Sequence, residues 1–131
     1  CEGAPEPPAG TVDAPLGPRG GSLVEQCVRP DGKPARTRYE TVRRAGDRSL
    51  LRLELETGRT HQIRVHLAYI GHPILGDTVY GNRKPVPGLT GQCLHATGLR
   101  FLHPRTGRPV ELTCPRPEEF ERMLVKLQKR I

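Results

Sequence analysis

Glu56-Thr57-Gly58-Arg59-Thr60-His61-Gln62-Ile63-Arg64-Val65-His66-Leu67 carries two arginines, two histidines and a glutamine across what reads as a loop-to-helix junction. Folding alone gives no reason for that density of polar groups. Thr60 suits the N-cap, where a hydroxyl accepts from the unpaired amides of the first turn. Ile63, Leu67 and Ile70 recur at i, i+4 and i+7, one face of a helix, and Gly71 is a natural stop. On a helical wheel Arg64 falls at the margin of that face, beside Ala68 and away from Val65 and Tyr69. A guanidinium at such a margin is expected to be partly buried, and burial is costly unless a carboxylate or phosphate takes its donors. The sequence therefore predicts a partner for Arg64, and Glu54 and Glu56 are the candidates for a purely structural ion pair.

Upstream, Ala35 to Arg44 is rich in Thr, Tyr and Val and favours a strand. Ala45-Gly46-Asp47-Arg48 is a turn, and Leu51, Leu53 and Leu55 then alternate with Arg52, Glu54 and Glu56 as in a half-buried strand. This hairpin delivers the chain into the junction. Residues 1–21 hold five prolines and five glycines, so Gly10 to Gly17 is expected to give one short extended segment at most. Residues 22–34 end in the turn signal Arg29-Pro30-Asp31-Gly32-Lys33-Pro34.

Downstream, Gly71-His72-Pro73-Ile74-Leu75-Gly76-Asp77-Thr78-Val79-Tyr80-Gly81 reads as a tightly turned loop around one short apolar strand. Leu94 to Leu102 and Pro109 to Thr113 form a second hairpin through the turn Pro104-Arg105-Thr106-Gly107. A final helix begins at Pro117, with Glu118 and Glu119 at its positive end and Lys126, Lys129 and Arg130 at its negative end. Its apolar stripe is Phe120, Met123, Leu124, Leu127 and Ile131. The order of elements is α+β with an antiparallel bias.

At 131 residues with 34% hydrophobic residues and no Trp, the chain fits one domain with a thin core. Its net charge is +7, from seventeen Arg and four Lys against fourteen acidic residues. Arginine's planar fork suits phosphates and stacked bases, and so basic a chain is drawn to polyanions by counterion release. The alternative is a protein simply kept soluble by its charge. Cysteines at positions 1, 27, 93 and 114 lack zinc-knuckle spacing, so no metal site is expected. With no apolar stretch near about 18 residues and no signal-like N-terminus, the expectation is a cytoplasmic protein with reduced thiols. The chain starts with Cys1, not Met, and is expected to be a piece of a longer polypeptide.

Among residues able to do chemistry, His61 and His66 lie roughly 140° apart on a helix and make a poor metal pair, so structural or solvent roles lead. His72 and His103 precede prolines as turn residues, and His95 reads as a satisfied histidine inside a strand. Asp13, Asp31, Asp47 and Asp77 sit in turn-forming contexts, Asp77 being the best candidate among them for more. The cysteines have no positioned base that would make a thiol nucleophile. Arg59, in the loop before the helix, is either a solvated surface charge or a contact to phosphate or a base edge.

These segments in this order resemble the signature of the RluA-type pseudouridine synthases. The resemblance runs through Gly32-Lys33-Pro34-Ala35 and the strand after it, the Glu56–His66 stretch, and Gly71-His72-Pro73 with Gly76-Asp77-Thr78-Val79-Tyr80-Gly81. It continues through Leu94-His95-Ala96 and His103-Pro104. It implies an α+β fold, part of a curved, mostly antiparallel mixed β-sheet with flanking helices and an RNA cleft. It implies isomerisation of uridine in ribosomal or transfer RNA, without cofactor or metal. A catalytic aspartate attacks the target nucleotide, an arginine pairs with it, and a tyrosine stacks on the flipped base. Arg64 matches that arginine, while Arg59, Thr60, His61, Gln62 and Leu94 match substrate- and RNA-contacting positions. The family's aspartate lies in a Gly-Arg-Leu-Asp segment and its tyrosine in a strand expected to end near Cys1, and this sequence contains neither.

The chain is accordingly expected to be the C-terminal half of a catalytic domain, with residues 1–34 an extended, loop-rich lead-in and 35–131 the sheet and helices. Its partners would be RNA and the N-terminal half of the same enzyme, and no membrane. Alone it is expected to be inactive and to self-associate through open sheet edges. The competing readings are a non-catalytic RNA-binding module with a basic cleft, and a separate chain that supplies the aspartate.

Overall fold

Thr37 and Tyr39 alternate with Arg36, Arg38 and Glu40 along one strand, and the computed structural model, which describes residues 1–128, buries the first pair and exposes the second set. This strand is the middle of a three-stranded antiparallel sheet formed by β1 (Ala9–Asp13), β4 (Arg36–Ala45) and β5 (Arg48–Leu55), in the order β1-β4-β5. Ala45 pairs with Arg48 across the two-residue turn at Gly46, whose φ of 61° suits glycine. A bulge between Thr41 and Arg43 shifts the register partway along the hairpin.

Before that hairpin the chain is more ordered than its proline content predicted. Besides β1 it forms β2 (Leu16–Pro18) and β3 (Gln26–Val28), an antiparallel pair in which Leu16 faces Val28. The loop-rich lead-in therefore contributes three strands where one short extended segment was expected. Proline is tolerated here because edge strands need only one side of the ladder. Gly32 is required for a different reason: a Cβ there would lie 2.6 Å from the backbone of Leu16, which runs directly against it.

Helix α1 (Gln62–Tyr69) packs against β3 and β4. Its start differs from expectation. His61, not Thr60, is the N-cap; it sits in the left-handed region at φ 54° and makes no side-chain capping bond. The buried face also differs, comprising Gln62, Val65, His66 and Leu67, with Ile63 and Ile70 only half-buried. Polar partners on β4 draw Gln62 and His66 inward and rotate the face. Gly71 ends the helix as read, at φ 86° with its amide donating to Ala68.

The core is two small clusters joined by Val28. Val12, Ala14 and Tyr39 pack with Leu53 and Ile70, while Leu16, Ala35 and Val65 pack with Tyr80. Residues 71–81 form turns with no strand, and Ile74 and Leu75 are buried within them.

Beyond them lie β6 (Gly98–Leu102), β7 (Pro109–Thr113) and α2 (Glu118–Gln128). β6 is shorter than expected, so His95 lies outside it, with Nε2 3.2 Å from the Cys114 carbonyl. The β6–β7 hairpin leaves Leu99, Phe101, Leu102 and Leu112 exposed. In α2, Met123 and Leu127 are buried, and the carboxylate of Glu119 accepts from Thr90. The sequence assignments to Lys129, Arg130 and Ile131 fall outside the described residues.

Candidate active site around Arg64

The loop before α1 is held by one side chain. Gln62 accepts from the Thr57 hydroxyl at 2.8 Å and the Arg59 amide at 2.9 Å through its carbonyl oxygen. Its amide nitrogen donates to the Arg36 carbonyl at 2.9 Å and to Thr37 Oγ1 at 3.0 Å. A glutamine amide has two donors and two strong acceptor directions, and all four are used inside the protein. Arg36 N–H donates to Thr57 Oγ1 at 3.0 Å, so β4 and the loop are tied a second time.

His66 continues the same network. Its Nε2 lies 2.8 Å from the Ala14 carbonyl, which can only accept, so the proton is on Nε2. Nδ1 then accepts from Thr37 Oγ1 at 2.8 Å, consistent with Thr37 itself accepting from Gln62. Burial lowers the pKa of this histidine, against the opposing pull of the Ala14 carbonyl, and keeps the ring neutral.

Arg64 projects from the exposed flank of that braced helix turn and meets Asp77. Nε donates to Oδ2 at 2.9 Å and Nη2 to Oδ1 at 3.1 Å, a bidentate pair whose carboxylate side chain is 0% exposed and whose guanidinium side chain is 14% exposed. Oδ1 also accepts the amides of Val79 and Tyr80, both at 3.1 Å, which folds 77–80 into a turn around the carboxylate. Burial works to raise the pKa of Asp77, but the bonds from Arg64 and the two amides outweigh it and hold the carboxyl below its ordinary value. The hydrogen bonding to Asp77 in turn raises the pKa of Arg64 against the effect of burial.

Tyr80 completes the cluster. Its ring lies 4.9 Å from the Arg64 guanidinium carbon, within cation–π range. Its hydroxyl accepts from Gln26 N at 3.0 Å and sits 2.6 Å from His61 Nδ1. The Tyr80 hydroxyl thus accepts from Gln26 and shares a second hydrogen bond with His61 Nδ1. The left-handed backbone of His61 sets its ring against Tyr80, edge to face with centroids 5.5 Å apart.

The partner of Arg64 is thus Asp77, where the sequence had offered Glu54 or Glu56. Those two pair instead with Arg38 and Arg36, at 3.8 and 3.2 Å on the exposed side of the sheet. The signal for Asp77 was present in its Gly-Asp-x-x-Tyr context, because an aspartate capping the amides two and three residues on is a turn habit. Tyr80 gave no comparable signal.

The other sequence candidates are dispersed. Arg59 is exposed, with Nε donating to the Pro34 carbonyl at 2.9 Å and the rest of its fork open to solvent. Thr60 is exposed beside it. Leu94 is 37% exposed, next to Cys93, whose amide donates to the Leu75 carbonyl beside the Asp77 turn. Among the described residues no group of His, Cys, Asp and Glu is placed to hold a metal ion, and no helix is long and apolar enough to cross a membrane.

The chain resembles known proteins over nearly its whole length. Residues 1–69 match the family model described as RNA pseudouridylate synthase. The chain is 50% identical over 124 residues to an uncharacterized RNA pseudouridine synthase of Chloroflexus aurantiacus, covering 95% of this chain and 39% of that protein. It is 42% identical to the ribosomal large subunit pseudouridine synthase D of Vibrio parahaemolyticus, covering 92% of this chain and 41% of the relative. The solved structure of human RNA pseudouridylate synthase domain containing 1 superposes with a TM-score of 0.73 at 25% identity, covering 97% of this chain and 62% of that one. The chain spans about two fifths of the length of these curated relatives. The expected α+β fold agrees with these structural neighbours. The family match ends at Tyr69, so it includes Arg64 and stops short of Asp77 and Tyr80.

Proposed function

This chain belongs to the RNA pseudouridylate synthase family, and on that premise we propose that its protein isomerises uridine to pseudouridine in ribosomal or transfer RNA, with Arg64 as the cation that holds the attacking aspartate. The observation that carries this reading is that Asp77 takes only Nε–H and one hydrogen of Nη2 of Arg64, a side chain also fixed by Tyr80, which leaves the Nη1 side for a second carboxylate. An arginine needed only for folding has no use for an open side.

The reaction is an isomerisation. The bond from C1′ to N1 of uracil breaks, a bond from C1′ to C5 forms, C5 gives up its hydrogen to solvent and N1 takes a proton. The target base has to leave its stack before C5 can face the sugar, so the site binds a flipped nucleotide. Ionised carboxylate is the form required of the nucleophile, and a neighbouring arginine favours it. The chemistry calls for neither cofactor nor metal.

The nucleophile comes from a segment outside this sequence. Asp77 is fully buried with both oxygens occupied. Asp13 and Asp31 are exposed and pair with Arg36 and Arg29. Neither bonds Arg64, and Asp47 lies exposed in the β4–β5 turn. On this reading the 131-residue chain alone is inactive. Arg59, Thr60, His61 and Leu94 contact RNA, and Gln62 serves as the brace that shapes the loop carrying the first three. Four unpaired thiols fit a reducing, cytoplasmic setting.

A second reading, a non-catalytic RNA-binding module, draws on the net charge of +7 and the saturated Asp77. RNA carrying tritium at C5 of uridine separates the two. Release of tritium by the complete protein supports the synthase, and RNA binding without release supports the module.

A further inference from the structure

Asp77 takes a particular side of Arg64. A guanidinium has five N–H donors, and the carboxylate engages Nε–H and one hydrogen of Nη2, the side edge of the fork. Both hydrogens of Nη1 and the second of Nη2 remain. Tyr80 covers a face of the group, and its own hydroxyl is fixed by Gln26 on β3 and His61 at the start of α1. The carboxylate of Asp77 is fixed by the Val79 and Tyr80 amides. Arg64 is therefore held in a socket built from α1, β3 and the turn 77–80, with one edge left over.

We infer that Asp77 is a positioning residue for the reaction: it occupies the Nε edge of Arg64, so that the attacking carboxylate can meet the guanidinium only end-on, through Nη1 and Nη2. The inference rests on the synthase reading and adds a residue to it. Without Asp77, an incoming aspartate could take the side edge itself, as a bidentate pair with the arginine's full charge. Such a nucleophile would be too well satisfied to attack. With Asp77 in place the arginine's charge is already shared, and the second carboxylate is aligned while keeping its basicity. Among the described residues the charged and titratable groups facing Arg64 are Asp77 and Tyr80, with His61 behind Tyr80. Asp77 cannot reach the substrate and acts only through Arg64.

The test is Asp77→Asn in the complete protein. Asparagine keeps an oxygen for the two amides and Nη2 but sets an NH2 group against the Nε–H of Arg64. Single-turnover tritium release should fall about 10- to 1,000-fold, with RNA affinity within about twofold of wild type. The acid limb of the rate–pH profile should move to lower pH, because the freed arginine now acts on the nucleophile with its full charge. A rate within about twofold of wild type overturns the inference, and so does a slower rate with an unmoved acid limb, which marks a merely structural residue. A second measurement needs no turnover. Formate added to the complete 15N-arginine-labelled protein, with its attacking aspartate replaced by alanine, should shift the Arg64 Nη resonances and leave Nε–H in place, and displacement of Nε–H overturns the inference. If the complete wild-type protein releases no tritium, the synthase reading fails, while the formate titration still decides whether Asp77 reserves that edge.

Discussion

Gln62 Nε2 donates to Thr37 Oγ1 at 3.0 Å, and this bond ties the first turn of α1 to the central strand β4. Thr37 passes the polarity on to His66, so three buried side chains fix one another's proton positions. The result is a rigid floor beneath the loop that carries Arg59, Thr60 and His61.

Gln62→Ala should separate stability from binding. It removes one partner each from the Arg59 amide, two threonine hydroxyls and the Arg36 carbonyl, and we expect a loss of about 1 to 3 kcal/mol in urea unfolding. Arg59→Ala should change stability by less than about 0.5 kcal/mol, because the side chain is exposed. Its effect should appear in RNA binding, with the salt dependence reduced by about one counterion. Equal stability losses in the two variants would contradict this division of roles.

His66 makes stability depend on pH in a stated direction. Its pKa in the folded protein lies below the ordinary 6.5, so as pH falls past that value the unfolded chain takes up a proton that the folded one refuses. Stability should decline from about pH 7 toward pH 5, and His66→Gln should remove up to about one proton from that slope. Asp77, whose pKa is lowered from 3.8, adds a further loss only at lower pH, as its carboxylate is protonated. A slope between pH 7 and 5 that the His66 variant leaves unchanged would rule out this assignment.

His61 adopts a backbone conformation that disfavours any Cβ. His61→Gly and His61→Ala both remove the ring from Tyr80, but only alanine keeps the strain. The glycine variant should be more stable than the alanine variant by about 1 kcal/mol in thermal or urea unfolding. The reverse order would mean that the left-handed conformation is not retained.

The 131-residue chain should self-associate at micromolar to millimolar concentration. Leu99, Leu102 and Leu112 on the β6–β7 hairpin are more than half exposed, and β1 is an edge strand of the β1-β4-β5 sheet, as is β5 beyond the start that residues 1–3 cover. Light scattering should report dimers or larger species, and charged substitutions at Leu99 and Leu112 should shift them toward monomer. A monomer at every concentration would refute the association.

What the sequence made legible follows from which interactions are local. The β4–β5 hairpin, the Gly71 stop and the acidic start of α2 depend on residues near one another, and they stand as read. The demand that Arg64 find a partner was legible too, since the cost of burying a guanidinium does not depend on the fold. Which carboxylate answers it was not, because Asp77 reaches Arg64 only after the chain turns back through Gly71 and Gly76. The same is true of the N-cap. Thr60 has the better capping side chain, but Gln62 reaching back to Arg59 and His61 reaching across to Tyr80 move the helix start by one residue. Of strands β1 to β3 only one short extended segment was expected, because prolines crowd that stretch; Pro18, the one proline inside these strands, is tolerated in the two-stranded β2–β3 pair.

The most direct test of the account replaces Arg64 by lysine in the complete protein and follows tritium release from RNA labelled at C5 of uridine. Lysine keeps the charge but cannot bond two carboxylates along two edges. The account predicts that release falls by at least about 100-fold while RNA affinity stays within about threefold. Release at a near wild-type rate would contradict it, and Arg64 would then be a structural residue with Asp77 as its only partner.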